Sequence, residues 1–70
     1  MQTLDTRGLS CPEPVLLLRR ALKTNPDALR VLTDQAAARE NVTRAAEHAG
    51  YVVVRTDDGG DFILELTRRS

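Results

Sequence analysis

The sequence predicts a two-layer α/β (α+β) sandwich in which four strands and two helices follow the order β-α-β-α-β-β. Three observations carry that prediction. Two stretches, about residues 14 to 24 and 36 to 49, repeat apolar residues with a helical period, and each follows a short strand-like run. Two β-rich runs, YVVVRT and DFILELT, flank the turn signal Asp57-Asp58-Gly59-Gly60. Finally, 70 residues of which 41% are hydrophobic suffice for one small core, and a single cysteine leaves no internal disulfide to staple it. One domain spanning residues 1–70 follows.

The first strand is QTLDT, residues 2 to 6, with Leu4 facing the core and Arg7-Gly8 closing it. The first helix, about Pro14 to Thr24, places Val15, Leu18 and Leu22 at i, i+3 and i+7, with Leu17 and Ala21 widening the stripe. Arg19, Arg20 and Lys23 gather in its last turns, where cations suit the negative end of the helix dipole, and Asn25-Pro26-Asp27 stops it. ALRVLT, residues 28 to 33, reads as a buried strand through Leu29, Val31 and Leu32. Asp34 is the expected N-cap of the second helix. Val42, Ala45, Ala46 and Ala49 form that helix's inner face, Glu40 and Arg44 an outer i,i+4 pair, and Gly50 its C′ residue. Right-handed crossovers put both helices on one face of the sheet and leave the other uncovered. The loop after strand 1 and Asp34 after strand 2 then share the carboxyl edge, where ligands of open α/β sheets gather. Cys11 lies on that edge.

Composition excludes several classes of function. Ten Lys+Arg balance ten Asp+Glu, so no charge excess calls for nucleic acid or an anionic membrane. Only Tyr51 and Phe62 are aromatic, which leaves little to stack bases on. MQTLDTRG lacks the basic start and apolar run of a signal peptide, and the longest apolar run, VLLL, is far below the ~20 residues of a membrane span. The expectation is a cytoplasmic, monomeric protein that binds neither membrane nor nucleic acid directly.

The stretch RGLSCPEPVLLL, residues 7 to 18, holds the only thiol. Free cysteines are most often buried as small hydrophobes. A position between a glycine turn and Pro-x-Pro puts Cys11 on a loop lip instead. Pro12 pushes Cys11 towards an extended backbone, and proline is well tolerated in a first helical turn. Pro14 disfavours helical geometry at Glu13, so the helix starts either at Pro12 with Cys11 as N-cap or at Pro14 with Cys11 just outside. In both cases the sulfur sits at the positive end of a helix dipole, worth about 0.3–1 kcal/mol to an exposed anion. The backbone N–H groups of Glu13 and Val15 are the nearest donors to the sulfur, Arg7 adds a positive charge, and the Glu13 carboxylate opposes the thiolate. An accessible, modestly acidic cysteine is expected.

No other residue competes. His48 is the lone histidine and reads as a solvated helix residue. One Cys and one His do not make a metal site, so none is expected. Asp57, Asp58 and Asp61 form a hairpin tip without calcium-loop spacing. Asn41-Val42-Thr43 matches a glycosylation sequon but falls inside a helix and is set aside. With no general base beside it, an exposed thiolate can attack a sulfur, hold it as a persulfide and pass it on by exchange.

LDTRGLSCPEPVLLLRRAL, residues 4 to 22, resembles the opening of the TusA/SirA/YedF family of small sulfur-carrier proteins. Leu4, Asp5, Gly8, Cys11, Pro12 and Pro14 match that family's Leu-Asp-x-x-Gly-x-x-Cys-Pro-x-Pro run in order, and the length and element order match the whole domain. The resemblance implies a sulfurtransferase that carries a persulfide on Cys11, needs no other cofactor, and relays sulfur from a donor desulfurase or rhodanese-type protein to an acceptor. tRNA thiolation, cofactor synthesis and sulfur or selenium metabolism are the family's settings. It also implies a mixed sheet whose last strand is antiparallel and inserted beside strand 2. Many members carry Asp-Pro after strand 2; this chain has Asp34-Gln35, a loose fit. Arg7, Arg19 and Arg20, which surround the active edge, are the expected partner-docking residues, with Asp34 beside them. The competing expectation is a regulatory module that binds RNA or protein, because the same layout resembles the C-terminal domain of bacterial translation initiation factor three. Neutral charge and two aromatics weigh against RNA.

Overall fold

The computed structural model describes residues 2–69. Its elements are β1 (Gln2–Asp5), α1 (Glu13–Leu22), β2 (Ala28–Thr33), α2 (Ala36–His48), β3 (Tyr51–Asp58) and β4 (Asp61–Arg68). They form one four-stranded sheet in the order β1-β2-β4-β3, with β1 parallel to β2 and β4 antiparallel to both of its neighbours. The mixed sheet with β4 inserted beside β2 is the arrangement expected. The hairpin turns on Gly59 and Gly60, both at positive φ (57° and 95°), as a two-residue turn matched to the strand twist demands. The turn is therefore tighter than the four-residue tip expected, and Asp57 and Asp58 pair within the ladder against Phe62 and Asp61.

Strand alternation sets the core. Leu29 and Val31 of β2 lie opposite Leu66 and Leu64 of β4, and all four are fully buried under the helices. Leu18 of α1 and Val42 and Ala46 of α2 pack in one buried cluster with them. Each leucine so buried contributes about 1.5–3 kcal/mol relative to exposure. The intervening residues face the other way: Arg30 meets Glu65 at 2.9 Å on the uncovered face, beside Val52 and Val54, which stay 45% and 57% exposed. Tyr51 closes the far end of the core, its hydroxyl donating to the Pro26 carbonyl at 2.7 Å.

Four local expectations are corrected. Asp34 does not cap α2; Gln35 occupies that position with extended backbone and no side-chain cap bond. The Asp34 carboxylate is drawn instead to the β1–α1 loop, described below. Glu40 does not pair with Arg44, because Arg39 (3.0 Å) and Arg55 of β3 (2.8 Å) take its carboxylate on the sheet side. Ala49 is exposed as the C-cap of α2, and Ala38, one turn earlier than the expected stripe, is buried in its stead. Lastly, α1 ends at Leu22 rather than Thr24, with Asn25 in the left-handed region (φ 53°) before Pro26.

Candidate functional site

The chain leaves β1 at Asp5, and Thr6 anchors it to the end of β2. The Thr6 N–H and hydroxyl both donate to the Leu32 carbonyl, at 2.8 and 2.6 Å, and the residue is fully buried. Gly8 then turns at φ 82°, a conformation that favours glycine, and its N–H donates to Asp34 Oδ2 at 3.0 Å. Asp34 thus ties the β1–α1 loop to the carboxyl end of β2 and serves as a loop anchor. Asp34→Ala is expected to speed hydrogen exchange at the Gly8 amide, with Asp34→Asn, which keeps an acceptor, closer to wild type. Equal exchange in all three proteins would refute the anchoring role.

The next turn presents the sulfur. The Glu13 N–H donates to the Ser10 carbonyl at 3.0 Å across Cys11 and Pro12, whose peptide bond is cis. Pro12 is the N-cap of α1, Glu13 its first helical residue and Pro14 is buried. Cys11 stands just outside the helix and is exposed. The Glu13 amide is therefore spent on the turn and does not reach the sulfur. The donor is one the sequence reading passed over: Asn41 of α2, whose Nδ2 lies 3.1 Å from Cys11 Sγ. A signal for it existed. Residues 38, 41, 45 and 48 form one row of α2 at i+3 and i+4 spacing, so an amide between Ala38 and Ala45 faces a neighbouring helix rather than solvent.

Arg7 does not serve the thiol. Its Nε and Nη2 grip the two oxygens of Asp5, at 2.9 and 2.8 Å, and its Nη1 meets Asp61 at 3.2 Å. Those hydrogen bonds, with the Arg7 backbone N–H to Asp5 Oδ1 next in weight, hold the Asp5 carboxyl down from 3.8 to about 2 and push the Arg7 guanidinium upward. Because the folded value of Asp5 lies below the unfolded one, its stabilising contribution is present above about pH 4 and fades as pH falls through about 2. Arg7→Ala should return Asp5 to the ordinary carboxylate range in an NMR titration. An unmoved Asp5 would show that another group holds it.

The three expected docking arginines separate. Arg7 is bound to carboxylates at the sheet edge, and Arg20 turns towards Gln2 and Leu4 of β1. Arg19 alone shares a surface with Cys11, a groove of about 660 Å³ between α1 and α2. Pro12 and Asn41 line it next to the sulfur. Among the described residues no three His, Cys, Asp or Glu side chains converge as a metal site would require, and no helix is long and apolar enough to cross a membrane.

A protein of Methanocaldococcus jannaschii named "Putative sulfur carrier protein MJ0990" is 40% identical over 60 residues, covering 83% of this chain and 80% of its own. The crystal structure of a SirA-like protein from Desulfitobacterium hafniense superposes with a TM-score of 0.87 at 28% identity over the full length of both chains. Residues 2–68 match the family described as Sulfurtransferase TusA, and the chain belongs to that family.

Proposed function

We propose that the protein is a sulfur-relay carrier that holds a persulfide on Cys11 between a donor protein, such as a cysteine desulfurase or rhodanese-type enzyme, and an acceptor. The observation that carries this reading is the placement of Cys11: an exposed thiol held out on a pinned turn, with a side-chain amide donor on its sulfur. The Cys11 thiolate attacks the outer sulfur of the donor's persulfide. A bond forms between Sγ and that sulfur, the donor's S–S bond breaks, and the electron pair leaves on the donor thiolate. The product is Cys11–S–SH, and repetition of the same exchange at an acceptor thiolate returns Cys11 to its resting state. Asn41, whose Nδ2 lies 3.1 Å from Sγ, can donate to the thiolate sulfur, and the domain's part is to keep that sulfur reachable. Incubation with a cysteine desulfurase and cysteine should add the mass of one sulfur, removable by a thiol reductant. Absence of the adduct under conditions that load an established carrier would sink the proposal.

A further inference from the structure

The ion pairs of this electrically neutral chain are unevenly shared. Among the described residues Arg30, Arg55 and Arg68 of the strands and Arg7 of the β1–α1 loop each meet a carboxylate. Arg19, Lys23 and Arg44, like Arg20 and Arg69, meet none among the described residues, and the first three line the α1/α2 groove that ends at Cys11. Arg44 is free because Glu40, one turn before it, is taken by Arg39 and Arg55. No carboxylate lines the groove among the described residues; its floor is Val15, Leu22 and Ala45. Its volume, about 660 Å³, is that of a small-molecule site, for which ~300–1,000 Å³ is usual.

From Pro12 to Lys23 the helix rises about 16 Å, at 1.5 Å per residue. An extended tripeptide spans about 10–11 Å. Arg19 of α1 and Lys23, the residue that caps its end, stand one turn apart and share the groove with Arg44 of α2, so anionic groups at two points along a bound molecule would each find a cation. At the end of this lining stands a sulfur nucleophile. A ligand suited to both features is an anion that has a sulfur to give.

We propose that this groove binds low-molecular-weight thiol persulfides carrying two or more carboxylates, of tripeptide size, and that Cys11 takes sulfur from them directly, without a donor protein. The proposal rests on the persulfide reading above. The thiolate attacks the outer sulfur of R–S–SH; the Sγ–S bond forms, the S–S bond of the small persulfide breaks, and RS⁻ leaves with the electron pair. The proton stays on the transferred sulfur, and no external oxidant or reductant enters. The cations act before that step, by concentrating and orienting the anion, an effect that raises association rates by about 10–10³ and weakens with ionic strength.

The test is the rate at which the full chain acquires one sulfur from glutathione persulfide and from the neutral persulfide of 2-mercaptoethanol, read by quenched intact mass. Wild type is compared with Arg19→Glu/Arg44→Glu, and with Arg19→Gln/Arg44→Gln should the first fold poorly. The ratio of the glutathione to the neutral rate should fall about tenfold or more in the variant, and in wild type at high salt. Alkylation by iodoacetamide, which is uncharged, should be unchanged. A ratio unaffected by the substitutions or by salt overturns the groove proposal and leaves the carrier reading intact. If neither persulfide loads Cys11 and a desulfurase also fails, both fall together.

Discussion

Cys11→Ser is expected to abolish sulfur loading completely while leaving the fold as it is. The chain has one cysteine, so a persulfide has nowhere else to form. Serine is nearly isosteric and can still accept from Asn41, but a hydroxyl at neutral pH is neither an anion nor a sulfur nucleophile. The side chain is exposed and lies outside the core, which limits the change in stability to about 0.5 kcal/mol. Intact mass with a desulfurase reads the first expectation, and a thermal melt reads the second. A sulfur retained by the serine variant, on a protein that melts with wild type, would place the cargo elsewhere and dismantle the site. A variant that simply unfolds would show that Cys11 has a packing role its exposure does not suggest.

The largest effect on stability is expected from Leu18→Ala, and its meaning comes from comparison with Leu16→Ala on the same helix. Leu18 is fully buried against the sheet, whereas Leu16 is 54% exposed. Truncation at Leu18 removes apolar contacts and leaves a cavity, at a cost of about 2–5 kcal/mol. A domain of this size has only about 4–10 kcal/mol in total, so the variant should be partly or wholly unfolded at moderate urea concentrations. Leu16→Ala should stay within about 0.5 kcal/mol of wild type, since alanine is also the better helix former. The urea midpoints of the two variants settle the matter. Equal losses would mean that α1 is rotated about its axis from the position described. Cys11 would then not face Asn41, since Cys11 leads directly into this helix.

The helix register also shows how far a sequence can be read. The stripe of Val15, Leu18 and Leu22 follows from a period of 3.6 residues, a property of the backbone alone. The same holds for the glycine hairpin, where local geometry leaves few choices; β2 was legible as a strand, but its alternation, with Leu29 and Val31 buried and Leu32 only partly so, was not. The position of Cys11 on an exposed lip was legible for a related reason, because proline fixes the backbone and glycine admits turns closed to other residues wherever they occur. The Cys-Pro-x-Pro run was equally legible as a family resemblance.

Side-chain partnership was legible only in part. Asp34 is well placed in sequence for the cap of α2, yet its carboxylate accepts from Gly8, 26 residues away. Glu40 has Arg44 at helical spacing, yet pairs with Arg55 from a strand. Arg7 is four residues from Cys11 but belongs to Asp5 and Asp61. Asn41, set aside as an idle sequon, supplies the donor to the sulfur from another helix. In each case two or more partners were available at little difference in local energy, since exposed pairs contribute about 0.2–1 kcal/mol each.

By itself, then, the sequence determined the elements and their order, the faces they bury, and the presentation of one thiol at the mouth of a helix. These follow from backbone restriction and apolar periodicity, which act over a few residues and add up along an element. Only the tertiary structure decided what surrounds that thiol: an amide from α2, an anchored loop, and a groove in which Arg44 is left without Glu40 because Arg55 of β3 takes that carboxylate. Such contacts join residues 15 to 30 positions apart, and their energies are too small to be ranked until packing has brought the elements together.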